Sequence, residues 1–361
     1  MVLLQTPSFL SRDIVSLMQK RTCHIHLGLH KTGSTSIQQA LKGFENSRVR
    51  YLRLSDANHS QMLMAAYLEG SARNILGQGG MAASDARRAI IAELKKDDRD
   101  VIISAEELTQ SFNKAAIERM VSDLREAFGQ ISAVAYIREP ASDLVSRTQQ
   151  IMRTTSSRSF EKVVRPREFQ SKLSPWLKCL GAENVDLVPF EKDRLHEGDV
   201  VLDYCFKMGI TPSQIYKTKH NVSPSGEAII LANHFHQLAE KKRRWIINEC
   251  KYSAFARQLA NGVLGFGQSQ FSLAPELIES SLHGSAPDID WLLGKLDHPF
   301  SPYVPPNNGL ELQSSEHVAQ LVSDIEEDFF AWWSSGVPMH RRARIFLSEY
   351  NRLAKTKKRW M

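Results

Sequence analysis

Between Cys23 and Leu41 the chain reads CHIHLGLHKTGSTSIQQAL, and this stretch holds residues suited to gripping an anion. Lys31 brings a full positive charge. Thr32, Ser34, Thr35 and Ser36 bring hydroxyl donors, and Gly33 lets the backbone approach a ligand closely. The residues leading in, TCHIHLGL, alternate in the manner of a strand, and SIQQALKGF after them has helical spacing. A glycine-bearing turn between strand and helix points backbone N–H groups at one centre, and the helix N-terminus adds partial positive charge. The chemistry predicted here is the holding of a phosphate-like group.

The spacing is not that of an NTPase phosphate loop. Gly28 and Gly33 are correctly separated, but Ser34 stands where the lysine belongs, and the lysine has moved ahead of the second glycine. The apolar runs VIIS and VAYI end in Ala-Glu-Glu and Arg-Glu-Pro, so neither offers an Asp for magnesium. The string His-Lys-Thr-Gly-Ser-Thr-Ser instead resembles the 5′-phosphosulfate loop of sulfotransferases that use 3′-phosphoadenosine 5′-phosphosulfate (PAPS), particularly bacterial carbohydrate-sulfotransferase types. The resemblance implies PAPS as co-substrate, 3′,5′-ADP as product, no metal, and His30, Lys31, Thr32, Gly33, Ser34, Thr35 and Ser36 around the phosphosulfate.

A second segment, AYIREPASDLVSRTQQ (Ala135–Gln150), has an Arg closing a strand and a Ser eight residues on, in a helix. An Arg at the C-terminal end of a parallel strand lies on the ligand edge of the sheet, and its fork grips phosphate bidentately. Arg138 can equally pair with a neighbouring acid. The segment resembles the family's 3′-phosphate motif, which implies that role for Arg138 and Ser146. More weakly, KTKHNVSPSGEAI (Lys217–Ile229) resembles the family's late loop over the nucleotide, implying contacts from Lys219 and Asn221; its serines also suit a helix cap. The likeness spans roughly residues 22–230.

Sulfuryl transfer is a displacement at sulfur by an acceptor hydroxyl. Charge grows on the leaving phosphate oxygen, which gives Lys31 a catalytic role under this reading, and the acceptor proton needs a base. Glu106, directly after a central strand, is the first candidate; relatives carry a His or Lys at that strand end, so the Glu departs from them. His59, after the VRYLRL strand candidate, is the second, and Asp56 a further one. His26, along a strand, reads as packed.

Such residues need a frame. Strand signals at 22–29, in VRYLRL, at 99–108, 131–137 and 184–190 alternate with helical stretches at 84–96, 113–128 and after Pro140, which predicts an α/β fold: a P-loop-type parallel sheet flanked by helices. Beyond residue 223 the periods at 223–245, 248–262, 316–334 and 339–358 are helical, without a convincing strand, and 283–312 reads as loop. The expected organisation is a PAPS-binding α/β domain over 20–225 and a mainly helical C-terminal region over 226–361.

Composition sets the outer bounds. Charged residues at 24% and hydrophobic ones at 42% are ordinary for a globular protein. The four cysteines are scattered and show no CxxC pairing, against a disulfide framework or zinc site. No run of 18 apolar residues and no convincing signal segment is present, so a cytoplasmic location is expected. Of 46 Lys and Arg, eight fall between His340 and Met361, with one of 40 Asp and Glu; the remainder carries 38 against 39, a net charge of −1. That basic tail is either a solubilising helix end or a contact for an anionic polymer or membrane surface. The expected partner is a hydroxyl-bearing acceptor, a glycan or glycoconjugate under the resemblance, and not nucleic acid. A P-loop kinase or NTPase, and a catalytically silent nucleotide-binding protein using the tail, are the alternatives.

Overall fold

The computed structural model describes residues 21–68, 82–154, 159–211, 223–241 and 261–336, with a few isolated positions besides. The chain divides into two compact units that interleave in sequence. Unit 1 takes Met1–Ile137, Phe169–Thr218 and Gly294–Pro299; unit 2 takes Arg138–Glu168, Lys219–Leu293 and Phe300–Met361.

Unit 1 is built on five strands: β1 (Thr22–Leu27), β2 (Val49–Tyr51), β3 (Asp100–Ala105), β4 (Gln130–Ile137) and β5 (Val185–Pro189). They lie in the order β2-β3-β1-β4-β5, and each neighbouring pair is parallel. The fold is therefore the α/β parallel sheet that the alternation predicts. Helix α1 (Ser34–Leu41) follows β1; α2 (Ser60–Tyr67) and α3 (Ala83–Leu94) lie between β2 and β3; α4 (Glu107–Gln110) and α5 (Lys114–Ala127) lead to β4. One face of the sheet packs Ile102, Val134, Tyr136 and Val188 against Ile37 and Leu41 of α1 and the later helix's Val200, Val201 and Tyr204. The alternate strand positions Cys23, Ile25, Val101, Ile103, Ala133 and Ala135 are buried as well. Burial on both faces is why β3 and β4 read as the apolar runs VIIS and VAYI rather than as clean alternation.

Because the chain leaves β1 toward β2 and β3, then crosses to β4 on the other side, the connections diverge at the C-terminal end of β1. In open parallel sheets, ligands bind at such a point. The segment from Gly28 to Gly33 begins there.

After β4 the chain enters unit 2 with α6 (Pro140–Thr154) and α7 (Phe160–Val163), returns to unit 1 for α8 (Phe169–Leu180), β5 and α9 (Val200–Met208), and then continues in unit 2. There α10 (Gly226–Lys241), α11 (Pro275–His283), α12 (Ala286–Leu293) and α13 (Ser315–Ser334) accompany two short strands, β6 (Gln270–Leu273) and β7 (Gly309–Leu312). Its core joins Leu144 and Met152 of α6 to Ile229 and Ile230 of α10, Phe271 and Leu273 of β6, and Val322 of α13.

The C-terminal part is mainly helical, with two departures from the sequence reading. β6 and β7 pair in parallel in a region expected to lack strands. The 283–312 stretch, expected as loop, holds α12 and β7. Four residues per strand are too few for a period to register, and only the partner strand identifies them. The helix at 339–358 and most of the basic tail fall outside the described residues, as does most of 248–262. No described helix is long and apolar enough to cross a membrane.

Candidate active site

The loop after β1 is anchored where it leaves the strand. The Gly28 amide donates to the Ala105 carbonyl at 3.1 Å, and the Thr109 hydroxyl donates to the Gly28 carbonyl at 2.8 Å, tying the loop to the end of β3. Two residues inside it have left-handed backbone, Lys31 at φ 72° and Gly33 at φ 76°. For lysine this conformation costs about 1–3 kcal/mol, and such strain clusters at functional sites. At Gly33 the need for glycine is also steric: a Cβ would stand 2.6 Å from Val200 Cγ1.

The hydroxyls divide into two groups. Thr32 and Ser34 are buried, and both donate to the Leu29 carbonyl, at 2.8 and 3.0 Å. They brace the loop from within. Thr35 is exposed and Ser36 half-buried, so these two retain hydroxyls at the surface. At the N-terminus of α1 the amides of Ser36 and Ile37 close onto the Gly33 carbonyl. Those of Ser34 and Thr35, one turn too early for a helical acceptor, are left at the positive end of the dipole.

Glu106 lies beside this loop. A Cβ on Gly28 would sit 3.0 Å from Glu106 Cγ and 3.1 Å from its Cα, so the glycine is what allows β3's end to approach. From there the Glu106 carboxylate reaches His30, with Oε2 3.2 Å from Nδ1, both side chains partly exposed. Neither composition nor spacing indicated that these two would meet.

His59 occupies different surroundings. It is 1% exposed, its Nδ1 accepts the Ser104 amide at 3.1 Å, and its ring lies on Tyr51 with centroids 4.6 Å apart. Burial lowers its pKa to about 4. His26 is likewise interior: its Nδ1 pairs with the Ser104 hydroxyl at 2.8 Å, and burial lowers its pKa to about 3. Ser104 thus joins two neutral imidazoles beneath the sheet edge. Among the described residues, no group of three His, Cys, Asp or Glu is arranged to hold a metal ion.

The second motif lies in unit 2. Arg138 immediately precedes α6, with its guanidinium 3.5 Å from the Ser142 hydroxyl; Ser146 is one turn further on the same face and buried. Glu139 caps α6, accepting the amides of Ala141 and Ser142 at 3.0 and 2.7 Å. Two arginines that the sequence did not single out accompany them. Arg167 holds Asp143 bidentately at 2.8 and 3.1 Å, each 2% exposed, and Arg147 donates to the Arg165 carbonyl. Burial lowers the pKa of both Arg138 and Arg147; Asp143 counters this in each case and Arg167 adds to it. The clue in sequence was the basic RPRE segment, which no spacing rule connects to Arg138. Lys219 and Asn221 lie outside the described residues.

No protein-family model matches this chain, and no curated protein does. Among solved structures, the crystal structure of a sulfotransferase from Alicyclobacillus acidocaldarius is similar at 13% identity, over 64% of this chain and 98% of that one, with a TM-score of 0.38.

Proposed function

We propose that the chain is a sulfotransferase that moves the sulfuryl group of PAPS to an acceptor hydroxyl. The observation that carries the reading is the loop after β1. The residues that resemble a phosphosulfate loop adopt a strained turn braced by Thr32 and Ser34 and running straight into the N-terminus of α1. Such a turn offers amides and a lysine to an anion without any magnesium-binding carboxylate in the same motif.

In this reading Lys31, Thr35, Ser36 and the amides of the α1 end hold the 5′-phosphosulfate. As the bond from sulfur to the bridging phosphate oxygen breaks, Lys31 stabilises the charge left on that oxygen. Arg138 and Ser146 are assigned to the 3′-phosphate by the resemblance of their motif, and Lys219 and Asn221 to the nucleotide on the same ground. The acceptor is proposed to be a carbohydrate-type hydroxyl, for which the same resemblance speaks.

Calorimetry with 3′,5′-ADP, ATP and ATP–Mg²⁺ tests the nucleotide assignment. Tight binding of 3′,5′-ADP with weak, magnesium-indifferent binding of ATP is expected. Preference for ATP–Mg²⁺ would replace the reading with that of a kinase or NTPase. Transfer of ³⁵S from PAPS across a glycan panel then identifies the acceptor class.

A further inference from the structure

The contact between His30 and Glu106 bears on the base, and the inference drawn from it rests on the sulfuryl-transfer reading above. We infer that His30 is the general base of the reaction and that Glu106 is the positioning residue that orients it.

Nδ1 of His30 faces the Glu106 carboxylate at 3.2 Å. A carboxylate only accepts, so the imidazole nitrogen facing it must carry the proton. That fixes the tautomer with Nδ1–H donating to Glu106 and the lone pair on Nε2. A nucleophile's proton taken by an imidazole, whose other nitrogen is held by a buried or partly buried carboxylate, is a recurrent arrangement on unrelated folds. The carboxylate keeps the ring in place and stabilises the imidazolium that forms.

The pair is held more firmly than a surface ion pair, whose long side chains splay at little cost. Glu106 packs against Gly28 at its Cα and Cγ, and Gly28 is bonded both to Ala105 and to Thr109. His30 immediately precedes the left-handed Lys31, so both residues belong to a single turn. The base and the group that stabilises the leaving oxygen are then neighbours in one rigid loop. By contrast the His59 imidazole is 1% exposed, shut in the interior where an acceptor hydroxyl does not reach it.

The step balances simply. Nε2 of His30 takes the acceptor hydroxyl's proton as the new O–S bond forms. The S–O bond to the phosphate breaks with its electron pair left on the phosphate oxygen beside Lys31. The products are the sulfate ester and 3′,5′-ADP, and His30 returns its proton to water.

The test uses His30→Asn, Glu106→Gln and ¹⁵N-histidine NMR of the full-length protein. The side-chain amide of Asn donates to Glu106 much as Nδ1–H does, yet offers no basic nitrogen. Turnover is read as 3′,5′-ADP released from PAPS with chitohexaose as acceptor, or with water alone if that glycan is not sulfated. The expected result is a kcat fall of about 10²-fold or more in His30→Asn with 3′,5′-ADP affinity within about threefold. Wild type should show His30 as the Nδ1–H tautomer, and Glu106→Gln should lose that preference together with turnover. A His30→Asn enzyme with near-normal kcat, beside an inactive Glu106→Gln, would overturn the assignment and make Glu106 the base. A wild-type protein that binds no 3′,5′-ADP and does not turn over PAPS would instead overturn the sulfuryl-transfer reading, and this inference with it.

Discussion

Gly33→Ala tests whether the loop geometry does what has been assigned to it. The substitution adds one methyl group, and the structure says where it goes. With φ at 76°, any residue other than glycine carries a backbone penalty of about 1–2 kcal/mol. The new Cβ would also stand 2.6 Å from Val200 Cγ1, more than an ångström inside normal carbon contact. Val200 is 8% exposed in the core between α9 and the sheet, so it yields only by repacking, at about 1–3 kcal/mol. The total is about 2–5 kcal/mol. If the fold absorbs it, Tm falls by about 4–20 °C, at about 2–4 °C per kcal/mol for a unit of this size. If the loop moves instead, even the lower figure weakens 3′,5′-ADP binding by about 30-fold. Thermal unfolding and calorimetry on one preparation separate these outcomes. The double variant Gly33→Ala/Val200→Ala should be less perturbed than the sum of its singles by roughly the overlap portion, about 1–3 kcal/mol, because it keeps the backbone strain but loses the collision. Unchanged Tm and affinity in Gly33→Ala, or strict additivity in the double variant, would refute the reasoning.

Lys31→Ala is expected to cut kcat by at least about 100-fold while the protein still folds, measured by 3′,5′-ADP release from PAPS; near-normal turnover would remove the lysine from the leaving oxygen. Arg138→Ala should weaken 3′,5′-ADP far more than adenosine 5′-monophosphate in calorimetry, since it removes a partner of the 3′-phosphate only; equal losses for both ligands would show the motif to be misassigned. Stability should fall with acid because His26 and His59 are buried neutral, with pKa values lowered to about 3 and about 4. Below about pH 6.5 the unfolded chain takes up protons that the folded chain refuses. The stability present above that value is therefore lost as pH falls toward 4, by about 2 kcal/mol per histidine at pH 5. Denaturant unfolding at pH 7 and pH 5 reads this directly, and a His59→Asn variant with an undiminished pH slope would exclude its contribution.

Much of the frame was legible in the chain itself. The apolar runs around Ile103 and Val134 announced buried parallel strands, because a strand covered on both faces needs apolar side chains throughout, and the alternation through Ile25 marked a strand beside them. Gly28, Lys31 and Gly33 suggested the proposed anion loop from sequence alone, because a close backbone approach and a positive charge are local demands that local residues must meet. Pro140 marked a helix start for the same reason, lacking an amide to satisfy, while the Asn113 cap onto Ala116 emerged only in the fold. What the residues could not reveal was pairing across distance. Thr32 and Ser34 read only as ligand donors, and the fold shows that their hydroxyls also meet the Leu29 carbonyl. β6 and β7 are visible only through each other. Arg167 finds Asp143, and Glu106 finds His30 from the same end of the neighbouring strand, because hydrogen bonds and ion pairs depend on where side chains arrive in space, and strand order rather than chain order decides that.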